Sequence, residues 1–490
     1  MLELLNYREG FAMNSSSSHH LAFHREMKDN FDINGNQFGW EWFVLASEDA
    51  RRRYILAVLY GNMREHPRKM CDLYADHLLG GDASQTFKKG IWGIDHQSSI
   101  WLPKKFDEDI IDEEFAGEFI RYMLQEGLVI LGGNDNNDDG HQEVEGLFRL
   151  PMGEDSDNAW RCRKDTRYNY WTLFNRKNGN RIRMRFNLGS SEFGEFPPYA
   201  ELPELIDVKI TDYCDKVCEF CYQDSTMKGQ HAGNMWQIAQ ALKRLKVFEV
   251  AIGGGEPTAH PEFSSIIENF CKCNIVPNFT TRDFKWRTQE SSDKIMELIG
   301  GVAYSVRYLW EIRATEGMHS HKELLGYDEK KKVSFKIVLG AIDRRDYLQI
   351  LRYCSLSSYD LTILGFKAVG RGAKYKVVPY SWWLEDLLMV HKECNGRVYI
   401  DTILAAEFEE QLKAAEIPRY LYTVKEGAFS AYLDAVTMKF APSSYHQGES
   451  LDLSHFGGDK WNIEKPLAEA MRNTFQKWNE EVGNANRSAD

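Results

Sequence analysis

From about Leu205 onward, short runs of β-branched residues alternate regularly with amphipathic helical stretches, and this alternation restricts the possible folds more than any other feature. Strands that alternate with helices favour a parallel sheet, because each helix returns the chain to the edge where the next strand begins. The pattern predicts six strands, at residues 205–211, 249–253, 275–280, 301–306, 333–340 and 360–366. The predicted fold class is therefore α/β, a partial (βα)6 barrel of the TIM type.

The chain has 490 residues, more than one hydrophobic core usually supports, so several domains are expected. The sequence pattern changes along the chain and predicts four segments. Residues 1–150 form a mostly helical, mixed α+β accessory or substrate domain, and residues 151–202 form a β-hairpin connection. The partial barrel follows at 203–402 and a C-terminal capping extension at 403–490. The hairpin is predicted around Asn178-Gly179, a pair typical of tight turns between strands. We expect it to form a plain sheet edge, with peptide binding along that edge as the alternative.

Charge and composition argue against several kinds of partner. The net charge is −13 and no run of Lys and Arg is present, which disfavours nucleic acid. No apolar run reaches the roughly 18 residues of a membrane span, and the first residues do not resemble a signal peptide, so we expect a cytoplasmic protein without a membrane partner. The nine cysteines are odd in number and scattered, which indicates reduced thiols or metal ligands.

The most linker-like stretch is acidic and rich in glycine, at residues 132–146. Asp135, Asn137 and Asp139 have the spacing that opens a calcium-binding EF-hand loop. Position twelve of such a loop needs a bidentate Glu, and here it is Gly146. We therefore expect a solvated loop at this place.

Three cysteines lie on one loop directly after the first predicted strand. Cys214, Cys218 and Cys221 form the pattern C-x3-C-x2-C at the carboxyl edge of the predicted sheet, where α/β folds place their sites. Thiolates suit iron-sulfur clusters, and three of them leave one iron of a four-iron cluster open to another ligand. Zinc is the alternative, but a structural zinc site needs a fourth Cys or His, and this loop has none.

A glycine-rich motif follows one strand later. Residues 254–257, the GGEP loop, consist of Gly254, Gly255, Glu256 and Pro257 and come directly after the second predicted strand. Because glycine has no side chain, such a loop lets the backbone pass close to a ligand. Both motifs, in this order and each after a strand, resemble the radical S-adenosylmethionine (SAM) superfamily over about residues 203–375.

The resemblance implies roles for individual residues. The three cysteines would hold a [4Fe-4S] cluster, and the GGEP loop would bind the amino group of SAM. By the same resemblance the SAM site would include Phe220 before the last cysteine, Thr280 on the third strand, Ser305 on the fourth strand and Arg371 after the sixth.

The resemblance also implies a reaction. The reduced cluster would cleave SAM to a 5′-deoxyadenosyl radical that abstracts a hydrogen atom from the substrate, with flavodoxin or ferredoxin as the electron donor. We expect a peptide or protein side chain as the substrate, and a nucleotide-like small metabolite is the alternative. A third interpretation is a non-catalytic iron-sulfur redox sensor, but in such a protein the GGEP loop would have no ligand to bind.

The C-terminal extension is similar to the SPASM region of peptide-modifying relatives. Asp434 fits the aspartate strand of that region, whereas Ser443 and Ser444 stand where an auxiliary-cluster cysteine is expected. No cysteine follows Cys394, so we expect no auxiliary cluster in this extension. The cysteines outside the motif, including Cys271 and Cys273, are expected to be packed or idle thiols.

The cysteine pattern gives a direct test. Cys218→Ala should abolish both the cluster absorbance and all SAM cleavage, because a cluster cannot be held by the two remaining thiolates. Cluster absorbance and 5′-deoxyadenosine formation should be measured after anaerobic reconstitution, with Cys71→Ala as the control outside the motif. Retained cleavage in Cys218→Ala would contradict the assignment.

Overall fold

The computed structural model describes residues 2–8, 20–23, 29, 37–38, 43–63, 68–88, 93–94, 102–106, 111–125, 128–132, 159–186, 199–320, 332–357, 359–391, 398–417, 422–445, 450–456 and 463–487. The chain forms two compact units, Met1–Phe196 and Pro197–Asp490, which are described separately. This division is coarser than the four predicted segments. The EF-hand-like residues 135–146 and Cys394 lie outside the described residues.

The first unit combines antiparallel sheets with helices. Its described strands are β1 (Leu2–Arg8), β2 (His20–Phe23), β3 (Gln37–Phe38), β4 (Phe43–Leu45), β5 (Gly93–Ile94), β6 (Lys104–Lys105), β7 (Leu128–Gly132), β8 (Trp160–Asp165), β9 (Tyr170–Asn175) and β10 (Arg181–Phe186). Its described helices are α1 (Glu48–Asn62), α2 (Arg68–Leu79), α3 (Ala83–Lys88) and α4 (Glu113–Met123). The largest sheet has the order β1-β10-β9-β8-β6, and Phe115 of α4 packs edge-on against Trp171 of β9 at 5.2 Å.

The predicted hairpin is confirmed, because β9 and β10 pair antiparallel around a turn in which Gly179 has a φ of 74°. The expectation that this hairpin forms a sheet edge is wrong. Strand β9 also pairs with β8, and β10 also pairs with β1, so both strands have neighbours on both sides. Main-chain groups of the hairpin are therefore engaged within the sheet.

The second unit is built on a mainly parallel sheet. Its described strands are β11 (Leu205–Thr211), β12 (Glu249–Gly254), β13 (Val276–Thr281), β14 (Gly301–Ser305), β15 (Val333–Val338), β16 (Asp360–Leu364), β17 (Val398–Ile400), β18 (Ser430–Asp434), β19 (Lys439–Ala441) and β20 (Leu451–Asp452). Its described helices are α5 (Met235–Arg244), α6 (Phe263–Lys272), α7 (Ser292–Leu298), α8 (Leu309–Ser320), α9 (Arg344–Ser357), α10 (Trp383–His391), α11 (Thr402–Glu407), α12 (Glu409–Ala414) and α13 (Glu464–Arg487).

All six predicted parallel strands are confirmed, as β11 to β16, with ends that differ by at most two residues. Parallel pairing runs from β11 through β12, β13, β14, β15 and β16 to β17, which is the topology of an α/β core of the partial-barrel type. Asn234 precedes α5 and is of a residue type that favours helix N-caps, but it has a φ of 53° and its side chain makes no capping hydrogen bond. Within the described residues, no helix is long and apolar enough to cross a bilayer.

The C-terminal segment belongs to the same sheet. Strand β18 pairs parallel with β11, and β19 and β20 then add antiparallel strands, so the order is β17-β16-β15-β14-β13-β12-β11-β18-β19-β20. Helix α13 packs against α5, and Phe440 of β19 stacks on Trp478 of α13 at 5.2 Å. The strand nearest the cysteine motif is therefore flanked by chain from the end of the sequence.

The sheet has one apolar face and one inner face of small and polar side chains. On β11, Ile206, Val208 and Ile210 are at most 1% exposed and form part of the apolar layer. The alternate positions and their register partners define the inner face, whose members are Asp207, Lys209, Thr211, Ala251, Gly253, Asn278, Thr280, Gly301, Ala303, Ser305, Lys336 and Thr362. Small side chains at the middle strands leave space on this side of the sheet.

Contacts between distant strands show that the sheet is strongly curved. Lys367 follows β16 and Ser444 follows β19, near opposite ends of the strand order, yet Lys367 Nζ lies 3.2 Å from Ser444 Oγ. The curvature therefore brings the segments after these strands together over the inner face. Within the described residues, no pairing joins β17 to β20, so the barrel is partial.

Candidate active site

The three predicted cluster ligands lie together on the segment that follows β11, which we call the cysteine loop, residues 212–232. Its two ends are tied by main-chain hydrogen bonds. The Cys214 amide donates to the Thr226 carbonyl at 2.9 Å, and the Asp212 amide donates to the Gln230 carbonyl at 2.8 Å. Cys214 is buried, whereas Cys218 and Cys221 are half-buried. The loop therefore presents its thiols from a fixed frame at the carboxyl end of the first parallel strand.

Val217 between the first two cysteines has a φ of 43° and a side chain that is 53% exposed. A positive φ is unfavourable for a β-branched residue, and strained backbone of this kind clusters at functional sites. Nothing in the sequence pattern predicted this conformation. It places the chain reversal directly between Cys214 and Cys218.

The GGEP loop packs directly on the start of the cysteine loop. The Gly255 amide donates to the Thr211 carbonyl at 2.7 Å, and the Glu256 amide donates to the Tyr213 carbonyl at 2.8 Å. A Cβ atom on Gly255 would lie 2.0 Å from the Tyr213 oxygen, and one on Gly254, where φ is 129°, would lie 2.3 Å from the Thr211 oxygen. These positions require glycine because the two backbones touch.

Glu256 fixes the far side of the same loop. Its side chain is 2% exposed, and its carboxylate accepts from the Thr281 hydroxyl at 2.7 Å, the Thr258 hydroxyl at 2.7 Å and the Arg282 amide at 2.9 Å. Burial raises the pKa of Glu256, and these hydrogen bonds to its ionised form oppose that rise. Pro257 is buried at the start of the short 3-10 turn that Glu256 caps. Glu256 therefore joins the loop to the carboxyl end of β13.

Arg371 lies against the cysteine loop and is engaged by it. Its amide donates to the Cys221 carbonyl at 3.0 Å, its Nε donates to the Cys218 carbonyl at 2.9 Å, and its guanidinium donates to Asp224 and to the Ser225 carbonyl. Gly370 has a φ of 56°, and a Cβ atom there would lie 2.5 Å from the Tyr222 oxygen. The predicted contact of Arg371 with SAM stays a prediction, and the observed contacts show that this residue also positions the cysteine loop.

Two arginines that sequence reasoning missed also surround the thiols. Arg307, which follows β14, lies with its guanidinium 5.4 Å from the ring centre of Phe220. Arg282, which follows β13, pairs with Glu311 at 2.9 Å, and Glu311 also accepts the amides of Arg307 and Tyr308. Both arginines stand at the carboxyl ends of parallel strands, which is the signal that could have identified them.

Thr280 and Ser305, the two polar residues predicted on the third and fourth strands, both lie on the inner face. The Thr280 hydroxyl accepts from Lys336 Nζ at 2.8 Å. Ser305 is half-buried at the end of β14, opposite Lys336 in the pairing register. Phe220 contacts Tyr375 edge-on at 5.7 Å as well as Arg307. Thr280 and Ser305 therefore share the inner face beside Lys336, Phe220 lies against Arg307 after β14, and the roles of these residues stay predictions.

The charges around the thiols are suited to an anionic cluster. Burial raises the pKa of Cys214 and of Cys218. For Cys218 the positive charges of Arg282, Arg307 and Arg371 oppose that rise. Iron deprotonates a coordinating thiol outright, and nearby guanidinium groups then stabilise the resulting negative charge. The donor set of three thiols with a cationic surround therefore fits an iron-sulfur cluster.

Across the part of the chain that the structure describes, no three His, Cys, Asp or Glu side chains converge closely enough to hold one metal ion. A zinc site gathers its ligands around a single ion, so the spacing of these side chains disfavours zinc. A four-iron cluster is different, because each thiolate binds a separate iron and the ligands stand further apart.

Two cysteines outside the motif were expected to be packed or idle thiols. Cys271 is half-buried and its thiol faces the Leu298 carbonyl at 3.5 Å, while Cys273 is buried.

A family comparison agrees with this geometry. Residues 208–306, which include the cysteine loop and the GGEP loop, match the model of the Radical SAM superfamily. This part of the chain therefore matches the radical SAM domain, and enzymes of that class use a [4Fe-4S] cluster and SAM. No curated protein matches the chain in sequence.

Solved structures of low similarity were also found. The structure of Streptococcus suis SuiB bound to precursor peptide SuiA has 14% identity and a TM-score of 0.46, covering 64% of this chain and 89% of that chain. anSMEcpe with bound AdoMet and Cp18Cys peptide has 15% identity and a TM-score of 0.33, covering 56% and 82%. HemN from Escherichia coli, a radical SAM enzyme, has 12% identity and a TM-score of 0.27, covering 51% and 69%.

The contacts of Arg371 predict a positioning role that can be measured. Arg371→Lys should accelerate loss of the reconstituted cluster severalfold, because an ammonium group cannot reproduce the planar fork that holds the loop carbonyls. Cluster decay in the presence of an iron chelator would be followed by absorbance. Arg345→Lys, an exposed side chain on α9, is the matched control. Equal decay rates in Arg371→Lys and wild type would contradict the positioning role.

The contacts of Glu256 predict a separate effect on SAM. Glu256→Ala leaves the Thr281 hydroxyl and the Arg282 amide without their acceptor, so SAM affinity should fall roughly tenfold, equivalent to about 1.4 kcal/mol. Iron content should stay nearly unchanged, since no thiol is altered. Equilibrium dialysis with SAM and an iron assay separate the two effects, and Glu256→Gln, which keeps an acceptor, should lose less. Unchanged SAM affinity in Glu256→Ala would show that the loop is misassigned.

Proposed function

We propose that Cys214, Cys218 and Cys221 hold the [4Fe-4S] cluster and that the enzyme modifies a peptide or protein side chain. The observation that carries the first part is the joining of three separate segments at the thiols. The GGEP loop and the turn at Gly370–Lys374 are each hydrogen-bonded to the cysteine loop at 3.0 Å or less. Such mutual support is what a site needs when it must hold a reactive group in one geometry.

When it is bound, the cluster supplies the electron that cleaves SAM to a 5′-deoxyadenosyl radical. The chain's own residues hold and orient the components. The GGEP loop is fixed by Glu256, whose buried carboxylate ties it to β13. Arg282, Arg307 and Arg371 supply positive charge beside Cys218. A small one-electron donor such as flavodoxin or ferredoxin, and a reducing compartment such as the cytoplasm, are part of this proposal.

Three features favour a peptide or protein substrate. Strand β1 pairs only with β10 among the described residues, so its other side offers main-chain groups to an added strand. Asp434 stands on β18 beside β11, in the segment that resembles the SPASM region. The small side chains of the inner face leave room for a substrate side chain beneath the thiols. A nucleotide-like metabolite is the competing substrate class.

The decisive experiment is anaerobic reconstitution with iron and sulfide, followed by dithionite and SAM, with 5′-deoxyadenosine measured by chromatography. Wild type should form it and Cys218→Ala should not. A full complement of about four irons per chain without any product, even with peptide pools or nucleotides added, would favour a redox sensor over an enzyme. If nucleotides and not peptides stimulate 5′-deoxyadenosine formation, the peptide substrate class is wrong and the radical SAM chemistry still holds.

A further inference from the structure

Two acidic side chains, Asp207 and Glu426, lie close to the inner side of the sheet. Asp207 of β11 and Glu426, which precedes β18, are both exposed to solvent. Surrounding protein nevertheless raises the pKa of Asp207 and raises that of Glu426 to about 7, with desolvation as the largest cause in each case. Lys367, which its contact with Ser444 places over the inner face, lies near both carboxylates, so these side chains line a shared recess on the concave side of the curved sheet.

Two lysines line the same recess. The positive charges of Lys336 and Lys367 lower the pKa of Asp207, so both ammonium groups lie near its carboxylate. Lys336 Nζ donates to the Thr280 hydroxyl at 2.8 Å, and Lys367 Nζ donates to the Ser444 hydroxyl at 3.2 Å. Both lysines are half-buried on the inner side. We call Asp207, Lys336, Lys367 and Glu426 the recess cluster.

Opposite charges in the recess cluster face each other without pairing. Among the described residues, neither lysine has a carboxylate oxygen within the 4.0 Å of an ion pair, although their charges act on Asp207. The remaining acids are engaged elsewhere. Asp401 accepts the amides of Gly365 and Leu404, and Glu426 accepts from the Tyr445 hydroxyl. Lysine and carboxylate groups that lie near each other without pairing can bind a ligand that carries both a negative charge and an N–H donor.

The two lysine ammonium groups have N–H donors that make no hydrogen bond in the described structure. Each ammonium carries three N–H donors, and in the described structure each makes one hydrogen bond, to a hydroxyl. Lys367 is also held in place by the rings of Tyr222 and Tyr445, whose centres lie 4.4 Å and 4.9 Å from Nζ. Tyr222 directly follows Cys221, so Lys367 connects the recess to the cysteine loop.

We propose that the recess binds the carboxylate of an acidic peptide substrate between Lys336 and Lys367, with Asp207 accepting a hydrogen bond from an N–H group of the same residue. This inference rests on the proposed function and names its substrate class. The carboxylate belongs either to an Asp or Glu side chain or to a peptide C-terminus. Lys367 then holds the substrate residue next to the loop that carries the three cysteines.

Other ligand classes fit the recess less well. A phosphate dianion would bring two negative charges towards Asp207 and Glu426, and like charges at close range oppose binding. A Lys or Arg side chain would meet the two ammonium groups and suffer the same repulsion. A carboxylate carries one negative charge and satisfies the lysines, while the adjacent amide N–H of a peptide satisfies Asp207.

Peptide selection tests the inference without relying on turnover. The reconstituted, immobilised enzyme is equilibrated anaerobically with SAM and pools of random nonapeptides, one pool with free and one with amidated C-termini, and retained peptides are sequenced by mass spectrometry. Wild type should enrich Asp or Glu severalfold in the amidated pool, or free C-termini in the other. Lys336→Met and Lys367→Met should each lose that enrichment. Lys294→Met, an exposed lysine on α7, is the matched control and should behave as wild type.

Each contrary outcome overturns the inference in a distinct way. Enrichment of Lys or Arg, or no enrichment of carboxylates, excludes the proposed ligand class. Displacement of the retained peptides by AMP at equal concentration assigns the recess to phosphate. Loss of SAM binding together with the peptides, measured by equilibrium dialysis, places the lysines in the SAM site. Formation of 5′-deoxyadenosine in wild type is scored separately, so failure of the substrate class and failure of radical SAM chemistry remain distinguishable.

Discussion

The structure depends on one constraint above all: three loops must touch backbone to backbone around the thiols. Gly254 and Gly255 can approach Thr211 and Tyr213 because they lack a Cβ atom, and Gly370 approaches the cysteine loop for the same reason. Main-chain hydrogen bonds between loops then replace the regular pairing that ends with the strands. Once these contacts form, the positions of Glu256 and Arg371 follow, since each side chain satisfies the backbone groups left over by the neighbouring loop.

The two faces of the sheet have different roles: the apolar face stabilises the fold, and the inner face carries the polar and charged side chains. The apolar layer that contains Ile206, Val208 and Ile210 supplies most of the free energy of folding, because burial of such side chains is the main stabilising term. The inner face contributes little to that term. It keeps small and charged residues, which are less stabilising, and so leaves space and unpaired charge next to the thiols. Sites that bind ligands commonly depart from optimal packing in this manner.

Much of the core was predictable from the sequence, because β-branched runs and amphipathic stripes report burial directly. The six strands β11 to β16 follow from that periodicity, and the two loops follow from their position after the strands. Residue type alone does not settle a helix cap, since Asn234 precedes α5 with a left-handed backbone and makes no capping hydrogen bond. The hairpin was found, but its place inside a sheet was not, since pairing with β1 and β8 depends on segments distant in sequence.

The site was predictable only in part for the same reason. Cys214 and Glu256 belong to local patterns, whereas Arg282, Arg307 and the recess cluster come together through strand register and curvature. Arg371 was identified by its glycine neighbours, but its contacts with the cysteine loop could be read only from the fold. The strand that carries Asp434 was expected from the resemblance to the SPASM region, but its parallel pairing with β11 was not, because five residues carry no signal of the strand beside which they will lie.

The parallel pairing of β18 with β11 also sets the order in which the protein can be completed during synthesis. The ribosome releases the three cysteines long before it releases β18, Ser444 and Tyr445, which finish the wall of the recess. Chains fold progressively from the N-terminus as they emerge, so one edge of the first parallel strand stays unpaired until β18 has been synthesised. A chain truncated before β18 would therefore contain the three cysteines without the residues that complete this wall of the recess.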